Sequence, residues 1–568
     1  MVRIRRREPG PPGDWPERYP DLLRRLYAAR GAAGPSQAQP RLADLPPPDA
    51  MPGIEAALAL LEDAIANNRR IVVVADFDCD GATACATGVR GLRMLGARNV
   101  AYAVPNRAVH GYGLTPALVE ELAALDPELL VTVDHGIACH AGIAAARAHG
   151  WQVLVTDHHL PGETLPDANA IVNPALPGHD FGSRALAGVG VLFYLLLALR
   201  KRLRERGGLP SPEPDLSALL DLVAVGTVAD LVPLDACNRA LVSAGLRRLR
   251  AGQGCAGLNA LAQVAARDTA TLTASDIGFG LAPRINAAGR LEDMTVGIEC
   301  LLCDDPLRAL ELATTLDAIN RERRTLQQQA TDEAEAVLAS VSPTTGEPPV
   351  ALCLHDPDWH AGVVGLVASK LAQRAHRPAL VFAPAQPGSA ELRGSARSIP
   401  GLHIRDVLAA VDATHPGLVE RFGGHAMAAG LTLQASNLPA FETALREAVT
   451  AMLDPAVLQA ELWSDGELAS GQFDRSTADL LRDGGPWGQG WPEPLFDGTF
   501  EVLDFRVLKE RHLKLELALD GRRLNAIHFG GWEGEAPPSR VRIAYRLAAD
   551  DWRGGDAVQL LVEHREPA

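Results

Sequence analysis

Short apolar runs alternate with longer amphipathic stretches over most of the first half of the chain. Ile71–Ala75, Leu129–Val133 and Val153–Thr156 are brief and mostly β-branched or Leu, as buried strands are. Helical stretches separate them. This rhythm predicts a mostly parallel sheet covered on both faces. From Asp305, a capping residue followed by Pro306, apolar positions recur at three- and four-residue steps through Leu312, Leu316, Ile319, Leu326, Ala330, Ala334 and Val337. That spacing predicts one long connector helix, stopped by Pro343. A second α/β unit is expected from about Pro348 to Leu453, opening with strand Val350–Leu354 and helix Val363–Arg374.

After about Pro494 the period becomes two. Leu513, Leu515, Leu517 and Leu519 alternate with other residues, as do Val541, Ile543, Tyr545 and Leu547. With Phe500–Leu503, Ala526–Phe529 and Val558–Val562 these make five short strands, which suggests a small oligonucleotide-binding-type barrel. The fold class is therefore α/β with a C-terminal β-barrel. The expected divisions are a loosely packed Pro/Gly/Arg-rich arm (1–50) with one helix near Asp21–Ala29, a catalytic domain (51–240), a helical region with the connector (241–345), the second α/β domain (346–455) and the barrel (456–568).

Composition narrows the classes. The 568 residues are 47% apolar and 22% charged, which is globular. With 70 acidic against 54 basic residues the net charge is −16, so the chain is not coated in positive charge for gripping duplex DNA. Between Phe505 and Leu547, however, nine Arg/Lys stand against five Asp/Glu. The apolar run Ala185–Leu199 is shorter than the ~18 residues of a membrane span, and no signal peptide opens the chain, so cytosol is the expected location. Eight cysteines in such length do not suggest a disulfide framework, and Cys300-x-x-Cys303 has no second pair to make a zinc site.

The chemistry gathers at strand ends. The first strand runs into Asp76-Phe-Asp78-Cys-Asp80-Gly81, the second into Asp134-His135-Gly136, the third into Asp157-His158-His159. In an open parallel sheet those ends line one crevice. Asp230, in Gly226-Thr-Val-Ala-Asp230, adds another carboxylate after a helix. So many anions repel one another without a cation. Two divalent metals ~3.5–4 Å apart resolve the conflict and suit in-line phosphoryl displacement. Oxygen-rich ligation with a little His fits Mn²⁺ or Mg²⁺. If the segment stays extended, Asp76, Asp78 and Asp80 share one side, opposite Cys79. A lone DxDxD also suits a solvated turn or a Ca²⁺ loop, and Asp-His-His a helix cap; their joint placement favours a metal centre.

DFDCDG, VDHG, TDHH and GTVAD, in that order, resemble the motifs of the DHH phosphoesterase superfamily over residues 54 to 455. The likeness implies that Asp78, Asp80, Asp134, His158, His159 and Asp230 ligate metal. Asp76 and Asp157 complete the expected catalytic set, either touching the metals or supporting residues that do.

Further segments bear on substrate. Arg107 can clamp a phosphate, and Tyr112 between glycines can stack on a base or sugar. Arg284 and Arg290 lie in a small-residue segment read as a loop. Arg393–Ser398 reads as a phosphate nest, with Ser395 and Arg397. Phe422–Gly430 reads as a glycine-rich turn into a small-residue helix, with His425 placed to hold the scissile phosphate. The last segment, and Trp359–Gly365, resemble the DHH-associated domain 1 signature. The order of all parts is similar to the RecJ exonuclease branch. That likeness implies a 5′→3′ exonuclease on single-stranded DNA acting in repair and recombination. It would release 5′-mononucleotides, with one strand entering a narrow passage between the α/β units. It also implies a single-strand-binding protein and a helicase as partners. The alternatives are an oligoribonuclease or phosphoadenosine phosphatase, a polyphosphate or pyrophosphate hydrolase, and an inactive scaffold of a repair complex.

Overall fold

The computed structural model describes residues 2–10, 13–107, 109–179, 181–341 and 349–568, with side chains there except at 335–341, 455 and 456. The chain forms two compact units, one of Arg6–Ile319 with Trp463–Ala568, the other built mainly from Asn320–Leu462.

In the first unit, β1 (Ile71–Val74), β2 (Val100–Ala103), β3 (Leu129–Val133), β4 (Gln152–Thr156) and β5 (Ala170–Val172) make an all-parallel sheet in the order β2-β1-β3-β4-β5. Every residue of β1 is buried, and alternate ones face different layers. Ile71 and Val73 pack with α1 (Cys79–Met94) and α4 (Gly188–Glu205), through residues such as Val89, Leu192 and Leu196. Val72 and Val74 pack with α2 (Pro116–Leu122) and α3 (His140–Ala148), through Leu118, Val119 and Ile143. That double covering is why the strands are unbroken apolar runs. The strand order reverses at β1, which opens a crevice at the carboxyl ends of β1 and β3. α5 (Leu220–Ala229) and α6 (Ala282–Leu291) complete the surroundings of that crevice.

The long helix is present as α7 (Pro306–Val341), and Leu307 N donates to the Asp305 carboxylate at its start. The expected stop at Pro343 and the division at 345/346 lie outside the described residues.

The second unit is a mixed sheet of β6 (Leu352–His355), β7 (Ala379–Pro384), β8 (Glu391–Arg397), β9 (Arg421–Gly424) and β10 (Ala428–Gln434), ordered β9-β10-β8-β7-β6. β6 and β7 are parallel and the rest antiparallel. α8 (Val364–Ala375), α9 (Ile404–Thr414) and α10 (Leu438–Met452) cover it. Two expectations are corrected here. Residues 393–398 are not a nest of exposed amides but mostly strand β8, whose amides pair with β7 and β10. Residues 422–430 are a hairpin, not a turn into a helix: Gly430 pairs with Ser395, so backbone pairing overrides the helical reading of a small-residue run.

The barrel is closed, from β11 (Phe496–Leu508), β12 (His512–Leu519), β13 (Arg522–His528), β14 (Arg540–Ala549) and β15 (Val558–Pro567), ordered β11-β12-β13-β15-β14. Leu513, Leu515 and Leu517 point inward with Val541, Ile543 and Tyr545.

The N-terminal arm is the largest correction. It is not loosely packed. Arg3–Arg6 pairs as a strand with Glu461–Ser464. Leu22, Leu23, Leu26 and Tyr27 are buried along helix Asp21–Ala28, and Tyr27 Oη donates to Gly484 O at 2.6 Å beside Trp487 and Trp491. The Pro/Gly composition hid an amphipathic stripe at three- and four-residue spacing.

Candidate metal centre

The segment after β1 does not stay extended. The chain turns into α1 at Cys79, so Asp78 is its N-cap, accepting from Gly81 N at 3.0 Å, and Asp80 lies in its first turn. This replaces the expectation that alternation aligns the triplet. The positive end of a helix now favours these carboxylates. Asp80 accepts from Gly188 N at 2.6 Å and Val189 N at 3.1 Å, the first amides of α4, so two helix starts meet at one carboxylate. Close approach demands glycine twice. A Cβ on Gly188 would lie 2.5 Å from Asp134 Cβ, and one on Gly226 would lie 2.7 Å from Asp80 Oδ1.

Asp134 follows β3 in the left-handed region, at φ 65°, a strained backbone of the kind kept at functional sites. Its Oδ1 is 3.1 Å from His158 Nε2, which is also 3.5 Å from Asp230 Oδ2 at the end of α5. Three sets of ligand-type atoms therefore lie within 4.8 Å of one another: Asp76, Asp78 and Asp134; Asp80, His158 and Asp230; and Asp134, His158 and His159. Asp157 does something else. It accepts from the backbone amides of Ile137, His158 and His159 and bonds His159 Nδ1 at 2.8 Å. It thereby orients the imidazole and leaves Nε2 as the remaining donor atom for a cation.

The electrostatics fit a cation-binding role. Burial, then the neighbouring Asp78, pushes the Asp76 carboxyl well above its ordinary range, and the same two causes take Asp80 to about 7. Burial and Asp80 raise Asp134, and raise Asp230 to about 9. Asp157 moves the other way: against its burial, the His159 hydrogen bond and charge hold it at about 2. The carboxylates at the crevice crowd one another, and Asp134 and Asp230 share one imidazole, His158, as a close neighbour. A donor set of hard oxygens and imidazole, held close and mutually repelling, is what a hard divalent cation relieves.

The acids open into a cavity of about 190 Å³, which Arg107, Tyr112, Asn286 and Arg290 help to line. Phe77 joins them: Arg107 Cζ lies 5.2 Å from its ring centre, and Tyr112 stands edge-on to it at 6.0 Å and to His159 at 6.3 Å. Residues 283–290 form helix α6 and not a loop. That separates its arginines. Arg290 reaches the cavity, while Arg284 is buried against Asp317 at 2.8 Å and Gly280 O. Ser395, Arg397 and His425 belong to the second unit. Arg397 donates to Ser395 Oγ at 2.9 Å and Ser369 Oγ at 3.0 Å, and His425 N donates to Ala428 O.

Sequence reasoning missed Asn286, whose Oδ1 accepts from Cys79 N at 2.8 Å, and the role of His135, fully buried and donating from Nε2 to Val74 O at 3.1 Å. Asn286 is the lone amide in a run of small residues, the only signal it offered. His135 ties β3 to β1 beneath the acids; burial takes it down to about 4.

The chain is similar to known proteins along its whole length. Residues 70–227 match the DHH family N-terminal domain, 347–451 the DHHA1 domain and 464–564 the RecJ OB domain. The chain is 49% identical to the single-stranded-DNA-specific exonuclease RecJ of Dickeya dadantii, covering all of both chains. It is 46% identical to that of Escherichia coli, over all of this chain and 99% of the relative. The crystal structure of RecJ from Thermus thermophilus in complex with Mn²⁺ superposes with a TM-score of 0.78 at 33% identity, over 96% of this chain and 76% of that one. The Mg²⁺ complex gives 0.73 at 31%, over 96% and 74%.

Proposed function

Because this chain belongs to the RecJ exonuclease family of the DHH phosphoesterases, we propose that it is a metal-dependent exonuclease that degrades single-stranded DNA from the 5′ end and releases 5′-mononucleotides. The observation that carries this reading is the convergence of Asp76, Asp78, Asp80, Asp134, Asp230, His158 and His159 on one crevice with an arginine-lined cavity beside it. Asp78, Asp80, Asp134, His158, His159 and Asp230 would hold Mn²⁺ or Mg²⁺, and the grouping of Asp76 with Asp78 and Asp134 supports adding Asp76 to that set. The cations, when bound, supply Lewis acidity and an activated water for in-line attack at phosphorus.

The chain's own residues do the rest. Arg107 and Arg290 bind the phosphate oxygens beside the acids and set the linkage over them. Tyr112 and Phe77 form an aromatic wall for the terminal nucleotide. Asp157 keeps His159 in one orientation. Arg284 braces α6 against α7 and takes no part in binding. His425 is kept as a phosphate-binding residue on motif likeness, Arg397 with Ser395 on the charge of its guanidinium and no longer on a nest of free amides, and the barrel binds the strand farther along through its basic strands. A cytoplasmic site of action in DNA repair, beside a helicase and a single-strand-binding protein, rests on the family likeness alone; among the described residues no helix is long and apolar enough to cross a membrane.

Digestion of end-labelled single strands and duplexes with Mn²⁺ or Mg²⁺ tests the proposal. A 5′ label appearing at once as mononucleotide, with duplex spared, is expected. Release of a 3′ label first overturns the polarity, and no digestion of either strand overturns the activity.

A further inference from the structure

The open side of α6 is a single file. From Gly280 to Gly289 every residue is buried except Pro283 and Asn286. Beyond them stand Phe279 at one end and Arg290 at the other. Steps of four, three and four residues put all four on one face. Two of them, Asn286 and Arg290, line the acidic cavity. The far end, Phe279, is 73% exposed. It sits in a π-helical turn, Ile277–Leu281, that leads into α6. Such turns are rare and gather at functional sites. This one is held firmly: Arg284 donates to Gly280 O from its ion pair with Asp317, and Ile277 and Leu281, two residues to either side of Phe279, are buried. A Cβ on Gly278 would stand 3.6 Å from Val228 Cγ1, so the turn lies against the end of α5, two residues before Asp230. A single exposed apolar residue means little. An aromatic ring on a firmly held turn, at the head of a file that ends among the cavity's own residues, means more.

We infer that Phe279 is a stacking platform for a base of the bound single strand, two to three nucleotides from the bond being cut. The inference rests on the exonuclease reading above and names a positioning residue for it. Seven residue steps along the helix lead from Phe279 to Asn286, about 10 Å, which is about three stacked steps of 3.4 Å. Every base offers a π face, so the contact holds the strand without reading sequence. The ring touches no reacting atom; it keeps the strand from sliding while Arg290 engages the phosphate.

The test uses the full chain, a long oligonucleotide and the same oligonucleotide carrying abasic positions near its 5′ end. Equilibrium binding and Mn²⁺-dependent digestion are both measured. F279A is expected to weaken binding and raise KM about 5- to 150-fold, as follows from 1–3 kcal/mol per stacked base, with kcat nearly unchanged. F279W restores the loss and F279L does not. The abasic strand costs the wild type as much and F279A nothing more. Wild-type affinity in F279A, rescue by F279L equal to that by F279W, or a further abasic penalty in F279A overturns the inference. If the wild type binds the strand but digests nothing, the exonuclease reading falls while the binding comparison still decides Phe279.

Discussion

Two groups of buried carboxylates in the same unit are built on opposite terms. Where the N-terminal strand meets the barrel, Asp465 and Asp497 are each answered by arginine. Arg30 bonds both oxygens of Asp465 at 2.9 Å, and Asp497, fully buried, accepts from Arg6 and Arg542 at 2.9 Å and from Ser464. At the carboxyl ends of β1 and β3, Asp76, Asp78, Asp80, Asp134 and Asp230 face one another and two imidazoles. The first group is complete as the chain folds. The second is an electrostatic deficit that a bound cation removes. Burial of charge alone thus does not distinguish scaffold from site; a guanidinium hydrogen-bonded directly to the carboxylate does.

Removing one member from each group separates the two roles. The largest effect is expected from Asp134→Ala. Nuclease activity should fall at least about a hundredfold, while the metal-free protein melts within a few degrees of the wild type, since relief of one crowded carboxylate offsets the strain of alanine at a left-handed backbone. Activity near wild type would break the metal assignment, and a large drop in metal-free Tm would make Asp134 a structural residue. Next comes the cation itself. Adding Mn²⁺ to chelator-treated protein should raise stability by about 2.7 kcal/mol at a hundredfold excess over Kd, and Asp134→Ala should lose most of that gain. Equal stabilisation of both proteins in a melting experiment would place the cation elsewhere.

The same contrast explains what could be read from the chain. The three central strands of the sheet were legible because strands covered on both faces must be continuous apolar runs, and carboxylates directly after such runs must fall at one edge; the edge strands Val100–Ala103 and Ala170–Val172, short and partly exposed, were not. The path through Asp76–Asp80 was not, because the same letters allow an extended segment or a helix cap, and the choice depends on α4 supplying amides to Asp80 from 108 residues away. Arg284 and Arg290 show the limit most sharply. They share one short segment, yet one is turned to Asp317 and the other to the cavity; only the helical phase of α6 separates them. In the arm, composition outvoted periodicity, and periodicity was the better guide.

The smallest expected effect lies at the arginine-answered pair and carries a pH signature. Although burial works against it, hydrogen bonds from Arg6, Ser464 and Arg542 hold the Asp497 carboxyl below its ordinary value. A depressed carboxyl stabilises the fold fully above the unfolded value near 3.9 and loses that contribution as pH falls through the folded one. Asp497→Asn should therefore cost about 2 kcal/mol at neutral pH, since Arg6 and Arg542 are only partly shielded, and progressively less in acid, where wild type and variant converge. Activity per folded molecule should stay unchanged, because no member of this pair lines the cavity at the strand ends. A variant whose deficit grew in acid, in melting curves run from neutral to low pH, would show that the arginines do not stabilise the ionised carboxylate, and the distinction between the two acidic groups would fail.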